Sequence, residues 1–319
     1  MDRHSKHALE LKGVVKHYGR RKALDGFDLS VPSGSIFGLV GGNGAGKTTS
    51  MAVSMGFLRP AAGSVSLFGE GPFQPARHAG RVSLLPQDAR LPPHSRVEEL
   101  LRFYGRLQGL SESELRRSID EVLEWTNLTD RRRSAIRTLS HGMMRRVTIA
   151  QAFLGNPELV LLDEPLSGLD PRQAADVRDA VRRRRGRQTI VVSSHILSDI
   201  EMMCDTVAFV DKGRLSRQDT LEAITRRGHR IVYSLESEAF PAEELKAALP
   251  QCEWEFDSKA KTLAARFDGD AHAVSAVNAI ALPTLLRAAV GVLEIRRGSD
   301  LESEYLAATA MPPSEQRRR

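Results

Sequence analysis

Cysteine is scarce: Cys204 and Cys252 are the two cysteines in 319 residues, far apart and outside any C-x-x-C spacing. That argues against a disulfide framework and a cysteine zinc site, and it suits a reducing compartment. Aromatic residues make up 5%, too few to interleave with basic residues as a stacking platform for single-stranded nucleic acid. Long apolar runs are missing too. A membrane span needs about 20 predominantly apolar residues, and the nearest approach, Ala276 to Ile295, is interrupted by Asn278, Pro283 and Arg287. The leading MDRHSKHALELKG carries charges but lacks the apolar core of a secretory signal, so none is expected. Neither charge dominates, since 46 basic and 40 acidic residues leave +6, which permits an anionic partner without requiring one. What remains, 41% hydrophobic and 27% charged residues, is an ordinary globular mixture. At roughly 150 residues per domain, the length suggests two domains.

The first part alternates short apolar runs with helical patterns, which predicts an α/β architecture. Leu9 to Val15 and Phe27 to Val31 alternate like half-buried edge strands, whereas Ile36 to Val40 is almost continuously apolar and reads as a buried central strand. Val65 to Phe68, Leu159 to Leu162, Ile190 to Val192 and Val207 to Val210 are expected to join it in a covered sheet. Between Gln87 and Asn156 the period turns helical, with Val97, Leu100, Leu101 and Tyr104 on one face and Leu115, Ile119, Val122 and Leu123 on another. Ser95 with Glu98, and Ser111 with Glu114, have capping-box spacing. From about Leu221 a second pattern begins: strand at Arg230 to Leu235, helix around Ala242 to Ala248, strands at Glu253 to Phe256 and Thr262 to Phe267, then another helix and strand. The polar tail from Pro312 to Arg319 is expected to fray.

Chemistry concentrates in three places. GGNGAGKTT, at Gly41, Gly42, Asn43, Gly44, Ala45, Gly46, Lys47, Thr48 and Thr49, satisfies G-x-x-x-x-G-K-[ST] directly after a strand. Glycines there let consecutive backbone N–H groups curl around phosphate oxygens at a helix N-terminus, with Lys47 toward the β and γ phosphates and the Thr48 hydroxyl toward Mg²⁺. LVLLDEP delivers Asp163 and Glu164 at a strand end. Two buried carboxylates call for a compensating cation, so Asp163 is expected to hold Mg²⁺ and Glu164 to face the attacking water as general base. LSHGMMRRVTIAQAF, from Leu139 to Phe153, sets Ser140 and Gly142 at the start of a helical run about twenty residues before Asp163. Taken alone this is a Ser-capped helix; with the other two it offers a second anion-binding surface.

Together these motifs resemble the ATP-binding cassette (ABC) ATPases, over roughly Leu9 to Leu215. The resemblance implies a P-loop NTPase core of RecA-like, ABC type with an antiparallel edge sheet and a helical insertion, followed by a small C-terminal α+β domain. The expected boundaries are 8–218 for the ATPase domain (insertion about 88–156), 225–308 for the accessory domain and 309–319 for a disordered tail. It further implies that Leu139 to Met143 is the signature segment, Gln87 the Q-loop glutamine near Mg²⁺ and the attacking water, and Ser167 to Asp170 the D-loop, with Asp170 near nucleotide. His195 resembles the switch histidine and Tyr18 the adenine-stacking aromatic. Three departures stand out: His141 replaces the first signature glycine, Met143 the glutamine, and Gly42 a frequent proline of the phosphate loop.

The functional expectation is an ATP-hydrolysing subunit using ATP and Mg²⁺, peripheral at the cytoplasmic face of the cell membrane, driving a separate permease. Each chain has one phosphate loop and one signature serine, so in this family two copies pair head to tail around ATP. SSHILSDIE around His195 and GSDLESEYLAAT near the C-terminus resemble subunits of ABC-2-type and drug-resistance exporters, which favours export. The alternative is a soluble ABC ATPase acting on nucleic acid or ribosomes; only about ninety residues separate Lys47 from Ser140 and no second phosphate loop occurs, both against it. A P-loop kinase would leave Ser140, Gln87 and His195 without roles. The arginine runs at Arg131 to Arg133, Arg182 to Arg185 and Arg317 to Arg319 read as solvated helix faces or ends, and no nucleic-acid partner is expected.

Overall fold

The computed structural model describes residues 6–225, 229–258, 260–267, 271–298 and 301. They fall into two compact units that divide between Gln218 and Asp219. The first contains strands β1 (His7–Tyr18), β2 (Arg21–Pro32), β3 (Ile36–Val40), β4 (Ala62–Leu67), β5 (Val82–Leu85), β6 (Leu159–Leu162), β7 (Thr189–Ser194), β8 (Thr206–Asp211) and β9 (Arg214–Thr220). Its helices are α1 (Lys47–Ser54), α2 (Pro75–His78), α3 (Val97–Leu107), α4 (Glu112–Trp125), α5 (His141–Ala152), α6 (Pro171–Arg182) and α7 (Leu197–Met203).

The apolar strands β3, β6 and β7 are buried along their whole length, and they lie inside a six-stranded sheet of order β5-β6-β7-β3-β8-β9. Pairings among β5, β6, β7, β3 and β8 are parallel, as strands covered on both faces tend to be. The catalytic candidates sit at the carboxyl ends of these central strands. Gly38 keeps α7 close to β3: a Cβ there would meet Ile200 Cγ2 at 2.5 Å and Cys204 Sγ at 3.2 Å.

Two expectations need correction. Val65 to Phe68 does not join the covered sheet; β4 pairs antiparallel with β1, which also pairs with β2, in a separate three-stranded sheet. Its start is exposed, with only Val65 and Leu67 buried, the half-covered pattern of such a sheet. Ser95 does not cap α3 either. Arg96 takes the cap and its backbone N–H donates to Glu99 (3.2 Å), because Glu98 is engaged by Arg102 (2.9 Å) and Arg132 (2.8 Å). Ser111 with Glu114 forms the expected reciprocal box at α4.

The Glu98 pairs bind α3 to the segment after α4. Hydrogen bonds from Arg132 first, and Arg102 second, pull the Glu98 carboxyl down to about 2 from an ordinary 4.5. A depressed carboxylate stabilises the fold fully above the unfolded value and loses that contribution as pH falls through 4.5 toward 2. Glu98→Gln is therefore expected to lower the thermal midpoint at pH 7 and to converge with the parent near pH 2. Melting both proteins across that range checks it; a constant gap would contradict the assignment.

In the second unit, α8 (Leu221–Thr225) precedes β10 (His229–Leu235), α9 (Ala242–Ala248), β11 (Glu253–Asp257), β12 (Thr262–Phe267), α10 (Ala271–Arg287) and β13 (Val292–Gly298). The strands form an antiparallel sheet of order β11-β12-β10-β13. Leu245 of α9 and Leu249 just after it pack with Val277, Ala281 and Leu285 of α10, and with Tyr233, Leu263 and Phe267 of the sheet, in a core of their own. The run Ala276 to Ile295 thus divides into helix and strand, and no helix among the described residues is long and apolar enough to cross a membrane. The sequence motif near Asp300 to Thr309 and the tail lie outside the described residues, apart from Leu301.

Candidate functional site

β3 ends at Val40 and the chain turns through the glycine loop into α1, whose first residue is Lys47. The turn needs glycine at two points. Gly46 has φ 119°, and a Cβ would lie 2.9 Å from the Ala23 carbonyl. At Gly41 a Cβ would collide with the Val210 carbonyl oxygen. The loop bounds a cleft of about 480 Å³ lined by Tyr18, Arg21, Ala23, residues 42–49, Gln87 and Glu164.

Lys47 is only 6% exposed, and its ammonium donates to the carbonyls of Gly41 (2.6 Å) and Gly42 (3.3 Å) while pairing with Glu164 (3.4 Å). The other oxygen of Glu164 accepts from His195 Nδ1 at 2.8 Å. Glu164 adopts a left-handed backbone with φ 48°, unusual for a residue with a Cβ and costing on the order of 1–3 kcal/mol. Three bonds fix that geometry: its N–H donates to Ser193 Oγ (2.8 Å), and its carbonyl accepts from the Arg145 guanidinium (2.6 Å) and from Ser167 N–H (3.2 Å). Ser193 Oγ donates onward to Asp163 Oδ1 at 2.5 Å.

The second oxygen of Asp163 is buried and has no hydrogen-bond partner. A buried anionic lone pair left open is costly unless a cation completes it, and hard oxygen donors beside a phosphate loop are the surroundings Mg²⁺ accepts. The residues present therefore fit Mg²⁺, with Asp163 and the exposed Thr48 hydroxyl as the groups that would hold it.

The structure gathers most of the residues singled out from sequence. Tyr18, half exposed, lines the cleft with Arg21, Gln87, Lys47, Thr48, Thr49 and Glu164, and Asp163 and His195 adjoin Glu164. Ser140, Gly142 and Asp170 are not among its lining residues. Ser140 caps α5, accepting from Met143 N–H (3.2 Å), and Asp170 caps α6, accepting from Gln173 N–H (2.9 Å). Gly142 is buried against Gln173, whose side-chain amide fills the space a Cβ would need. His141 packs over Gly168, where a Cβ would come within 2.7 Å of its Nε2. Three contributors escaped sequence reasoning: Arg21, Ser193 and Arg145. Arg145 stands beside Arg146 in α5, both buried, and nothing in the sequence separates the two.

The chain matches the family model described as ABC transporter over residues 24–167. It is 38% identical over 208 residues to the Nod factor export ATP-binding protein I of Cupriavidus pinatubonensis, an overlap covering 65% of this chain and 64% of that protein. It is 37% identical over 219 residues to the daunorubicin resistance ATP-binding protein DrrA3 of Streptomyces coeruleorubidus, covering 68% and 69% of the two chains. The linearmycin resistance ATP-binding protein LnrL of Bacillus subtilis is 32% identical over 210 residues, covering 65% and 67%. The chain thus spans about two thirds of the length of these relatives. Among solved structures, an ATP-binding subunit of an ABC transporter superposes with a TM-score of 0.62 at 30% identity, covering 69% of this chain and 92% of that one. The glycine loop, the paired carboxylates and the α5 segment therefore sit in the framework these proteins share, and the chain belongs to the ABC transporter family of ATP-binding proteins.

Proposed function

We propose that this chain binds and hydrolyses ATP as the nucleotide-driven subunit of an exporter, acting on a separate membrane permease from the cytoplasmic face. The observation that carries the reading is Glu164, held between Lys47 and His195 at the wall of the phosphate-loop cleft. There its carboxylate can take the proton of a water attacking the γ phosphorus while the bond to the β-γ bridging oxygen breaks. His195 donates to one carboxylate oxygen and so orients the other. The phosphates would draw Lys47 away from Gly41 and Glu164, freeing the base as substrate arrives. Tyr18 would stack on adenine and Gln87 would approach the attacking water. Mg²⁺, held by Thr48 and Asp163, would supply neutralisation of the phosphate charge.

Ser140 and Gly142 lie outside the lining of this cleft, which supports their serving the nucleotide of a second copy. Two chains paired head to tail would enclose two ATP molecules, and loss of the γ phosphate would release them. The relatives named for Nod factor export and for daunorubicin and linearmycin resistance support export over action on nucleic acid. Co-expression with any membrane protein encoded beside this chain is the test. The pair is expected to co-purify and to release free phosphate several-fold faster than the chain alone. Recruitment of no permease, or transfer of phosphate to a small acceptor, would reject the reading.

A further inference from the structure

Arg145 lies one turn after Gly142 in α5 and is buried, yet none of its hydrogen bonds goes to a carboxylate. Its guanidinium donates to four main-chain carbonyls: Gln87 (3.2 Å), Asp163 (3.2 Å), Glu164 (2.6 Å) and Pro165 (3.0 Å). Burial lowers its pKa, against the pull of Asp163, Asp88 and Glu164. Burying a cation whose hydrogen bonds all go to carbonyls, with carboxylates near but none bonded to it, is unfavourable compared with packing an apolar side chain, so simple packing does not explain it. A planar fork with five donors does suit the task of holding several chain segments at once. Its neighbour Arg146 points elsewhere, donating to the carbonyls of Thr126 (2.9 Å) and Asn127 (3.2 Å) at the end of α4. Helix α5 is thus clamped to the catalytic strand end by Arg145 and to the end of α4 by Arg146.

We propose that Arg145 is a positioning residue that ties the attitude of α5 to the placement of Glu164, so that engagement of one nucleotide through Ser140 and Gly142 sets the hydrolytic geometry at the protomer's own phosphate loop. The inference rests on the paired arrangement proposed above. The shortest of the four bonds reaches the carbonyl of the left-handed Glu164, whose N–H is pinned by Ser193. The Glu164 carbonyl also accepts from Ser167 N–H, so of the three bonds to its main chain only the one from Arg145 travels with α5. A shift of α5 must stretch these bonds or carry Glu164 with it, and a misplacement of about 1 Å costs on the order of a hundredfold in rate. Because Gln87 is held by the same fork, the strand end and the segment after β5 move together. The two ATP sites of a pair would then be coupled through each protomer's Arg145, and hydrolysis would rise cooperatively with ATP.

Arg145→Lys keeps the charge but offers a point donor where the fork was. Steady-state phosphate release against ATP is expected to show kcat at least about tenfold lower, with half-saturation within about twofold and the Hill coefficient falling from above 1 in the parent toward 1. Parental kcat and cooperativity, or equal losses of ATP affinity and kcat, would overturn the inference; so would a parental Hill coefficient of 1. A second measurement leaves Arg145 intact and serves if the lysine variant does not fold. In dimers mixed from one parental and one Ser140→Arg protomer, and confirmed at the doubled mass with ATP, coupling predicts phosphate release below about a tenth of the parental rate, since one site lacks its serine and the other its placed base. Release at half the parental rate would mean that the sites act independently and Arg145 couples nothing. A parental chain that neither pairs nor releases phosphate would instead remove the proposed function itself.

Discussion

Glu164→Gln is expected to keep ATP bound and to slow its hydrolysis by about 10²–10⁴-fold, the usual contribution of a positioned general base. Glutamine has the shape of the native side chain, and its amide oxygen can still accept from His195 Nδ1. It cannot take a proton from water, and it no longer forms the buried ion pair with Lys47. The ammonium loses one of its three partners, Gly41 and Gly42 being the others. ATP affinity should therefore be preserved or improved. Equilibrium ATP binding and phosphate release at saturating ATP separate the two effects. Turnover at the parental rate would take the base role away from Glu164.

Asp163→Asn should move activity and stability in different directions. Asp163 Oδ1 is committed to Ser193, and Oδ2 is buried without a partner. Removing the charge relieves a desolvated anion, so the nucleotide-free variant should melt no lower than the parent, and higher if burial of the charge dominates. Hydrolysis should fall by at least about a hundredfold, equivalent to about 2.7 kcal/mol in barrier. Mg²⁺ should also lose its ability to raise the melting temperature in the presence of ATP. A variant that melts well below the parent would show that the carboxylate is structural, and one with parental Mg²⁺ dependence would place the cation elsewhere. The opposition of the two effects is what a site built for a missing charge predicts.

The parts legible in the sequence are those whose chemistry is local. The glycine loop announces itself because its backbone must curl within a few residues, and Asp163 with Glu164 because an apolar strand ends on them. The second unit was readable for the same reason, each strand and helix carrying its own period. Long-range partnerships were not. β4 is as apolar as a covered strand at Val65 to Phe68, and only its pairing with β1 puts it in the outer sheet. β5 is four residues with two half-buried positions, too short for a periodic signal. Arg145 finds acceptors 18 to 58 positions away, and no spacing rule reaches so far. The left-handed Glu164 is likewise held by Ser193 and Arg145 from outside its own segment, beside the local bond from Ser167 N–H.

The central claim is that ATP is held between two copies of this chain, and the mass of the Glu164→Gln protein in solution tests it most directly. Light scattering should give 35.2 kDa without nucleotide. With ATP the mass should approach about twice that, return to the single-chain value with ADP, and fail to double when Ser140→Arg is added. A protein that stays at the single-chain mass with ATP bound, while the parental chain hydrolyses ATP at full rate as a monomer, would contradict it.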